Sequence, residues 1–383
     1  MVLASTFPTS SGDATPAFVR DLAVAEASEY ETVVVVPAVA GGAARETVGS
    51  LGVRRFRYFP RRWEDLAEGA ILENLRARPS RWLQVLPFVV AEIVAVRRVV
   101  RQFRPDVVHA HWIVPQGVAA MLAARGRPLL ITTHGGDIYG LRDPLSQRLI
   151  RAVLRRASAV TAVNGDMRDR LVELGARAEC VTVLPMGADV STIRQGGVGV
   201  ARRAGRILLV GRLVEKKGIA VLLAALRGLD GSGYDLRIAG DGPLRAELES
   251  AAAGLPVTFL GAVGRAEIAR ECAEAAIAVF PSVRATSGDQ DGLPVALLEA
   301  MSAGCAVVVS DLPGLADAVV DGVSGLVVES GDESALRRAL RRLLDDPDLA
   351  AELGAGARAR SDEYSVDSIG ARYVEVLDRI RGS

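Results

Sequence analysis

Lysine is nearly missing from this chain: Lys216 and Lys217 are the only two, against forty-four arginines (46 basic residues less 2). Aromatics make up 4% of the 383 residues, and cysteine and histidine occur three times each. Each scarcity excludes something. Cys180, Cys272 and Cys305 lie far apart, form no Cys-x-x-Cys pair and leave an odd count, which argues against a disulfide framework and for reduced thiols in a cytoplasmic protein. Basic and acidic residues balance at 46 each, so no global charge favours a nucleic-acid partner. Long apolar runs are missing too: Pro87 and Glu92 interrupt the stretch 85–96, and the first residues lack the basic start and apolar centre of a signal peptide. What is abundant is Ala, Val, Leu and Gly, within 50% apolar residues, a composition that suits helices packed on parallel strands.

The length exceeds what one hydrophobic core usually serves, so two domains are expected. Short β-rich runs at 2–5, 33–36, 107–109, 129–132 and 159–163 alternate with helical stretches. Around 185–205 the pattern lapses into Gly, Arg and Val without helical period, and a second alternating set follows at 206–210, 236–239, 257–260, 277–280, 306–309 and 326–328. We read an α/β chain of two Rossmann-like, doubly wound parallel-sheet domains. The first covers 1–190 and the second 206–360, with a linker at 191–205 and a closing helix in 361–383 that packs back on the first domain. Ligands of such sheets sit beyond the carboxyl ends of the strands, which makes the residues just after each strand informative.

Both lysines fall in such a place. Gly211-Arg212-Leu213-Val214-Glu215-Lys216-Lys217-Gly218 links an apolar strand to the apolar helical run 219–226. Glycines there admit close backbone approach, unpaired NH groups open the helix, and an ammonium can reach a diphosphate as a point charge. All three histidines, His109, His111 and His134, fall at the ends of two strands and point to one mouth, although a core-edge imidazole bonded to backbone is an equal reading for His109 and His111. Their spacing matches no common zinc pattern. In the segment 288–304, loop residues give way to a helix near Pro294, which puts Asp291 before the helix and Glu299 more than one turn inside it. Carboxylates so placed could accept hydrogen bonds from hydroxyls at two positions along an extended ligand. Alternatively, Asp291 caps the helix and Glu299 is a surface charge.

Taken in order, these segments resemble the retaining glycosyltransferases of family 4. The likeness includes the 211–218 turn, Gly240-Asp241-Gly242-Pro243, the 259–263 turn, the acidic segment 291–299, His109-Ala110-His111-Trp112 and Thr133-His134-Gly135-Gly136-Asp137. The resemblance implies the GT-B fold, two Rossmann-like domains facing across a nucleotide-sugar cleft. It implies that Arg212 and Lys217, beside Gly211 and Gly240, hold the donor diphosphate, and that Glu299 bonds the ribose. Gly261 and Val263 match the turn that receives the base, and His134 matches a histidine beside the donor sugar. Asp291 stands where the family carries the first of two glutamates, with Gly292 and Leu293 after it and Pro294 in place of a usual glycine. On the acceptor side the resemblance places Gly12, His109, His111 and Asp137.

The implied activity is transfer of a sugar, with retention, from a nucleoside-diphosphate donor to a glycan, lipid-linked or small-molecule acceptor, without a metal. Asp289-Gln290-Asp291 does spell the manganese triplet of another glycosyltransferase fold, but that fold has one domain and no lysine pair. A sugar-nucleotide epimerase and a nucleotide-sugar binding protein without turnover are the rival readings. Residues 54–104 carry twelve arginines and five acids, a local charge of +7, and Arg97, Arg98, Arg101 and Arg104 close a helix whose other face holds Val94, Val96, Val99, Val100 and Phe103. That helix reads either as a contact with anionic lipid or as an ordinary solvated face.

Overall fold

A computed structural model describes residues 1–10, 13, 15–69, 71–141, 143–229 and 233–382. The chain divides into two compact units, one built from Met1–Ser10, Thr15–Pro185 and the segment from Ile369 onward, the other from Met186–Ser368. Each is a parallel sheet covered by helices.

The first unit's strands are β1 (Val2–Leu3), β2 (Val33–Pro37), β3 (Arg45–Val48), β4 (Leu51–Phe56), β5 (Val108–His111), β6 (Leu129–Thr132), β7 (Ala159–Ala162) and β8 (Val181–Val183). They lie in the order β3-β4-β2-β1-β5-β6-β7-β8, all parallel except β3, which runs against β4. Every residue of β2, β5, β6 and β7 is buried, as a sheet covered on both faces requires. The strands β3, β4 and β8 do not stand out in the sequence. Arginines interrupt the β3 and β4 runs, and β8 is only three residues long.

The second unit contains β9 (Arg203–Val210), β10 (Asp235–Ala239), β11 (Val257–Gly261), β12 (Ala275–Phe280), β13 (Ala306–Ser310) and β14 (Leu326–Val328), all parallel in the order β11-β10-β9-β12-β13-β14. Counted within the unit this is the 3-2-1-4-5-6 order of dinucleotide-binding sheets, whose strand order reverses between β9 and β12.

The stretch 191–205 is not an irregular linker. Val190–Gly196 is a helix, capped by the Asp189 carboxylate accepting from Thr192 N at 3.0 Å, and β9 already begins at Arg203. Gly196 and Gly197 hid this helix from the pattern, yet they are what lets it pack: a Cβ on either would come within 2.8 Å of Ala269 or Ala273. At the other end of the chain, the helix Val366–Arg381 belongs to the first unit from Ile369 on. Its Tyr373 is fully buried there and donates to Leu184 O at 3.2 Å, and burial pushes the phenol up to about 12. Gly370 lies so close to Ala25 that a Cβ would meet it at 2.5 Å. All three cysteines are free thiols.

The long helix Trp82–Phe103 turns Gln84, Phe88, Glu92, Val96 and Val99 inward, one every three or four residues. Val96 and Val99, expected on an open apolar face, are therefore core residues, whereas Val94 points outward. Glu92 is wholly buried beside Gln116, whose Nε2 donates to it at 3.1 Å, and burial pushes its carboxyl up to about 8. Because the folded chain keeps a proton there that the unfolded chain has lost, this residue lowers stability as pH rises from about 4.5 to 8. Urea unfolding at pH 5, 6.5 and 8 should show Glu92→Gln gaining stability over the wild type by about 1.4 kcal/mol per pH unit. Parallel curves for the two proteins would refute the neutral, buried state of Glu92.

Candidate functional site

In the second unit the strand ends converge through backbone contacts that only glycine permits. Gly218 follows the short turn Glu215–Lys217 with φ +63°, and a Cβ there would lie 1.8 Å from Pro281 O. A Cβ on Gly240 would lie 1.9 Å from Gly211 O. Gly211 N donates to Ala239 O at 2.9 Å, Gly240 N to Gly261 O at 2.8 Å, and Val283 N to Lys216 O at 2.9 Å. These contacts draw the ends of β9, β10, β11 and β12 together.

The two lysines stand at the reversal point, after β9, and face the loop that follows β12. Lys217 Nζ donates to Asp291 Oδ2 at 2.8 Å, and Ser282 Oγ donates to the same oxygen at 2.7 Å. Lys216 Nζ lies 3.0 Å from Asp289 Oδ2 and 3.8 Å from Asp291 Oδ1. Asp291 is 6% exposed. Burial by itself would raise its carboxyl, but the charges of Lys217 and Lys216 and the hydrogen bonds from Lys217 and Ser282 outweigh that and hold it below the usual carboxylate range. The Glu215 carboxylate accepts from Thr286 N at 2.9 Å and from its hydroxyl at 3.0 Å, tying the lysine turn to the same loop.

Asp291 is therefore no helix cap; Pro294 occupies the cap of the helix Val295–Ala303. Glu299 is buried in that helix and is no surface charge. Arg212 is half-buried beside Gly211, Gly292 is half-buried after Asp291, and Val263 and Leu293 pack against the unit's apolar core. Ser282 escaped the sequence reading, although it follows a strand end by two residues; Lys216 enters that reading as half of the lysine pair and Asp289 only as part of an Asp-x-Asp triplet. Among the described residues, no group of three His, Cys, Asp or Glu side chains is arranged to hold a metal.

The first unit holds a second cluster. His109 lies inside β5, not at a mouth: its Nδ1 is 2.6 Å from Glu26 Oε1 and its Nε2 2.8 Å from Thr132 Oγ1, with Thr161 Oγ1 a further 2.7 Å on. Both ring nitrogens are thus engaged in the core. His111, fully buried at the strand end, stacks on His109 with centroids 4.4 Å apart and on His134 at 5.3 Å, and its Nδ1 is 3.1 Å from His134 Nε2. Asp137, buried, accepts from His134 N at 3.2 Å and from Ile113 N at 3.0 Å, bracing the turn at Gly135, whose φ is +96°. Burial raises the Asp137 carboxyl and pushes His134 down to about 3, aided there by His109. Trp112 and Phe18 lie against the His134 ring, with centroids at 4.5 and 5.2 Å. Gly12 lies outside the described residues.

One proton bridges His111 Nδ1 and His134 Nε2. Among the described residues His111 Nε2 is buried with no partner, and a buried bare nitrogen is more tolerable than a buried N–H without an acceptor. His111 then carries its proton on Nδ1 and donates it, which leaves His134 protonated on Nδ1 as well. Nitrogen NMR on a chain with three histidines should find both in the Nδ1–H form and uncharged from pH 5 to 8; titration of His134 near 6.5 would contradict the stacked arrangement.

Sequence comparison supplies the family. The profile for glycosyl transferases group 1 matches residues 204–346, and that for Glycosyltransferase Family 4 matches 17–192. The GDP-mannose-dependent alpha-(1-6)-phosphatidylinositol monomannoside mannosyltransferase of Mycolicibacterium smegmatis is 30% identical over 285 residues, 68% of this chain and 75% of that protein. This chain belongs to the group 1 glycosyl transferases. Another relative in the group, the amylovoran biosynthesis glycosyltransferase of Erwinia amylovora, is 34% identical over 218 residues, and the match spans 55% of this chain and 54% of that protein. The fold agrees with that of solved structures. Sucrose-phosphate synthase from Thermosynechococcus elongatus superposes with a TM-score of 0.77 at 19% identity, covering 100% of this chain and 98% of that one. Anabaena HepE in complex with UDP-glucose gives 0.69 at 21%, covering 99% and 98%.

Proposed function

We propose that this group 1 glycosyl transferase moves a sugar from a nucleoside-diphosphate donor to a hydroxyl acceptor, with retention at the anomeric carbon and with protein cations in place of a metal. The observation that carries the reading is the lysine pair facing Asp291 where the strand order reverses. A diphosphate at that point would meet two ammonium groups beside the first turn of the helix Ile219–Leu226. Relatives that are GDP-mannose-dependent or were solved with UDP-glucose support a UDP- or GDP-sugar as donor.

Breaking the bond between the anomeric carbon and the diphosphate oxygen leaves negative charge on the leaving group. Lys217, with Arg212 at the start of the same turn, stabilises that charge, because a fixed cation already aimed at the site needs no reorganisation during the reaction. A bound diphosphate competes with Asp291 for the Lys217 ammonium. Released from that pairing, the Asp291 carboxylate accepts hydrogen bonds from sugar hydroxyls, and Glu299 accepts them from the ribose. The acceptor oxygen bonds to the anomeric carbon on the face the diphosphate leaves, and its proton passes to the departing phosphate oxygen.

Incubation with a panel of UDP- and GDP-sugars and candidate acceptors tests the reading by nucleotide release. Release that depends on acceptor supports it, isomerised donor points to an epimerase, and binding without turnover points to a binding protein. With an active pair in hand, Lys217→Ala should lower kcat roughly 100- to 1,000-fold, the effect of deleting one preorganised charge-stabilising donor. Glu299→Gln should mainly raise KM for the donor. Full turnover by Lys217→Ala would remove the basis of this mechanism.

A further inference from the structure

The outer face of the helix Trp82–Phe103 has a composition that the chemistry above does not use. Among the described residues, twelve large apolar side chains are exposed, and five of them are on this one helix: Trp82, Leu83, Leu86, Val90 and Val94. Leu83 and Leu86 are 75% and 72% exposed. At ~100° per residue, Leu83, Leu86, Val90 and Val94 form a single stripe opposite the buried Phe88, Glu92 and Val96. The stripe is about 16 Å long. It then changes character without changing face, because Arg97 and Arg101 continue the same line and Arg98 flanks it.

Four other arginines of the basic segment have their charge matched by a carboxylate. Arg55 pairs with Glu46, Arg57 with Glu64, and Arg78 and Arg81 with Asp65. Arg97, Arg98 and Arg101 are exposed, and among the described residues no carboxylate lies within ion-pair reach of them. A tryptophan-and-arginine pair, Trp63 with the Arg62 guanidinium 3.9 Å over its ring, is exposed in the preceding segment.

We infer that this face docks the protein on an anionic lipid bilayer, with the helix lying in the plane of the interface. A protein partner with a uniform apolar or acidic groove would match only half of the stripe. A bilayer interface offers both chemistries side by side, acyl chains just below a layer of phosphates. The stripe suits it: leucine, valine and tryptophan reach toward the acyl boundary while unpaired guanidinium groups meet the lipid phosphates. The helix keeps Glu92 buried on its inner face and carries four arginines at or after its last turns, and no described helix is long and apolar enough to cross a membrane, so contact is confined to the surface. This inference stands apart from the donor chemistry and survives if the glycosyl-transfer reading fails.

The test needs no substrate. The full chain is sedimented with vesicles of phosphatidylcholine alone or with one-third phosphatidylglycerol, at 50 and 500 mM salt. Binding to the anionic vesicles should weaken roughly 10- to 100-fold at the higher salt. The exposed-face variants Leu86→Glu with Val90→Glu, and Arg97→Gln with Arg98→Gln and Arg101→Gln, should each lose roughly 100-fold in partitioning while keeping the wild-type circular dichroism. Tryptophan emission should shift to the blue on vesicle addition, and less so in Trp82→Phe. The proposal is overturned if the wild type stays in the supernatant at low salt, or if both variant sets bind as the wild type does. It is equally overturned if light scattering shows a dimer that the Leu86→Glu, Val90→Glu variant dissolves and vesicles leave untouched, since the face would then join two copies of the chain.

Discussion

The ion pair between Lys217 and Asp291 is the interaction on which the proposed chemistry of the second unit turns. Taking both charges out of water is costly, and such a pair rarely adds net stability over apolar packing. Here Ser282 supplies a second hydrogen bond to the carboxylate and Lys216 a second cation, so the charged form is kept despite burial. What the arrangement secures is position. An ammonium on a flexible four-carbon stem is held at the reversal of the strand order, and in the proposed reaction a diphosphate would take the place of the carboxylate without the lysine having to be ordered first.

Backbone packing makes that placement possible. The strands of the second unit end in glycines whose missing side chains admit neighbouring carbonyls at distances no Cβ would tolerate, at Gly218 against Pro281 and at Gly240 against Gly211. The lysine turn is thereby wedged between two strand ends, and the salt bridge is aimed by the main chain rather than by side-chain packing. The first unit works differently. Its sheet centre carries polar residues, with Glu26, His109, Thr132 and Thr161 joined in sequence by hydrogen bonds and Tyr373 of the closing helix at the end. A buried network of this kind is tolerable only when every member finds a partner, and it anchors the last helix in one register. The His111 ring stacks on His109 of that network and the His134 ring on His111, and burial keeps both uncharged.

The helix Trp82–Phe103 serves two surroundings at once. Its inner face is ordinary core apart from the proton-bearing Glu92, and its outer face keeps apolar side chains in water beside arginines that no described carboxylate neutralises. Both features cost stability in a molecule treated as isolated in solution, and the outer one is relieved by a surface that is apolar and anionic together.

Buried parallel strands are continuous apolar runs, so most of the sheet, the α/β class and the strand-end position of the lysines were legible in the sequence. Asp291 in a loop and Glu299 within the following helix were legible for the same local reason, a turn composition giving way to helical period at Pro294. The hairpin of β3 and β4 was not, since arginine on its half-exposed face breaks the apolar alternation, and neither was the helix Val190–Gly196, whose glycines look like a linker until the helix they touch is in view. Only tertiary structure decided that His109 faces Glu26 and not a ligand, that Val96 turns inward and Val94 outward, and that Lys217 meets a carboxylate 74 residues away. Local pattern determines what a segment becomes, because secondary structure answers to near neighbours. Which side chain it then meets depends on strand order and crossover path, and no window of sequence contains those.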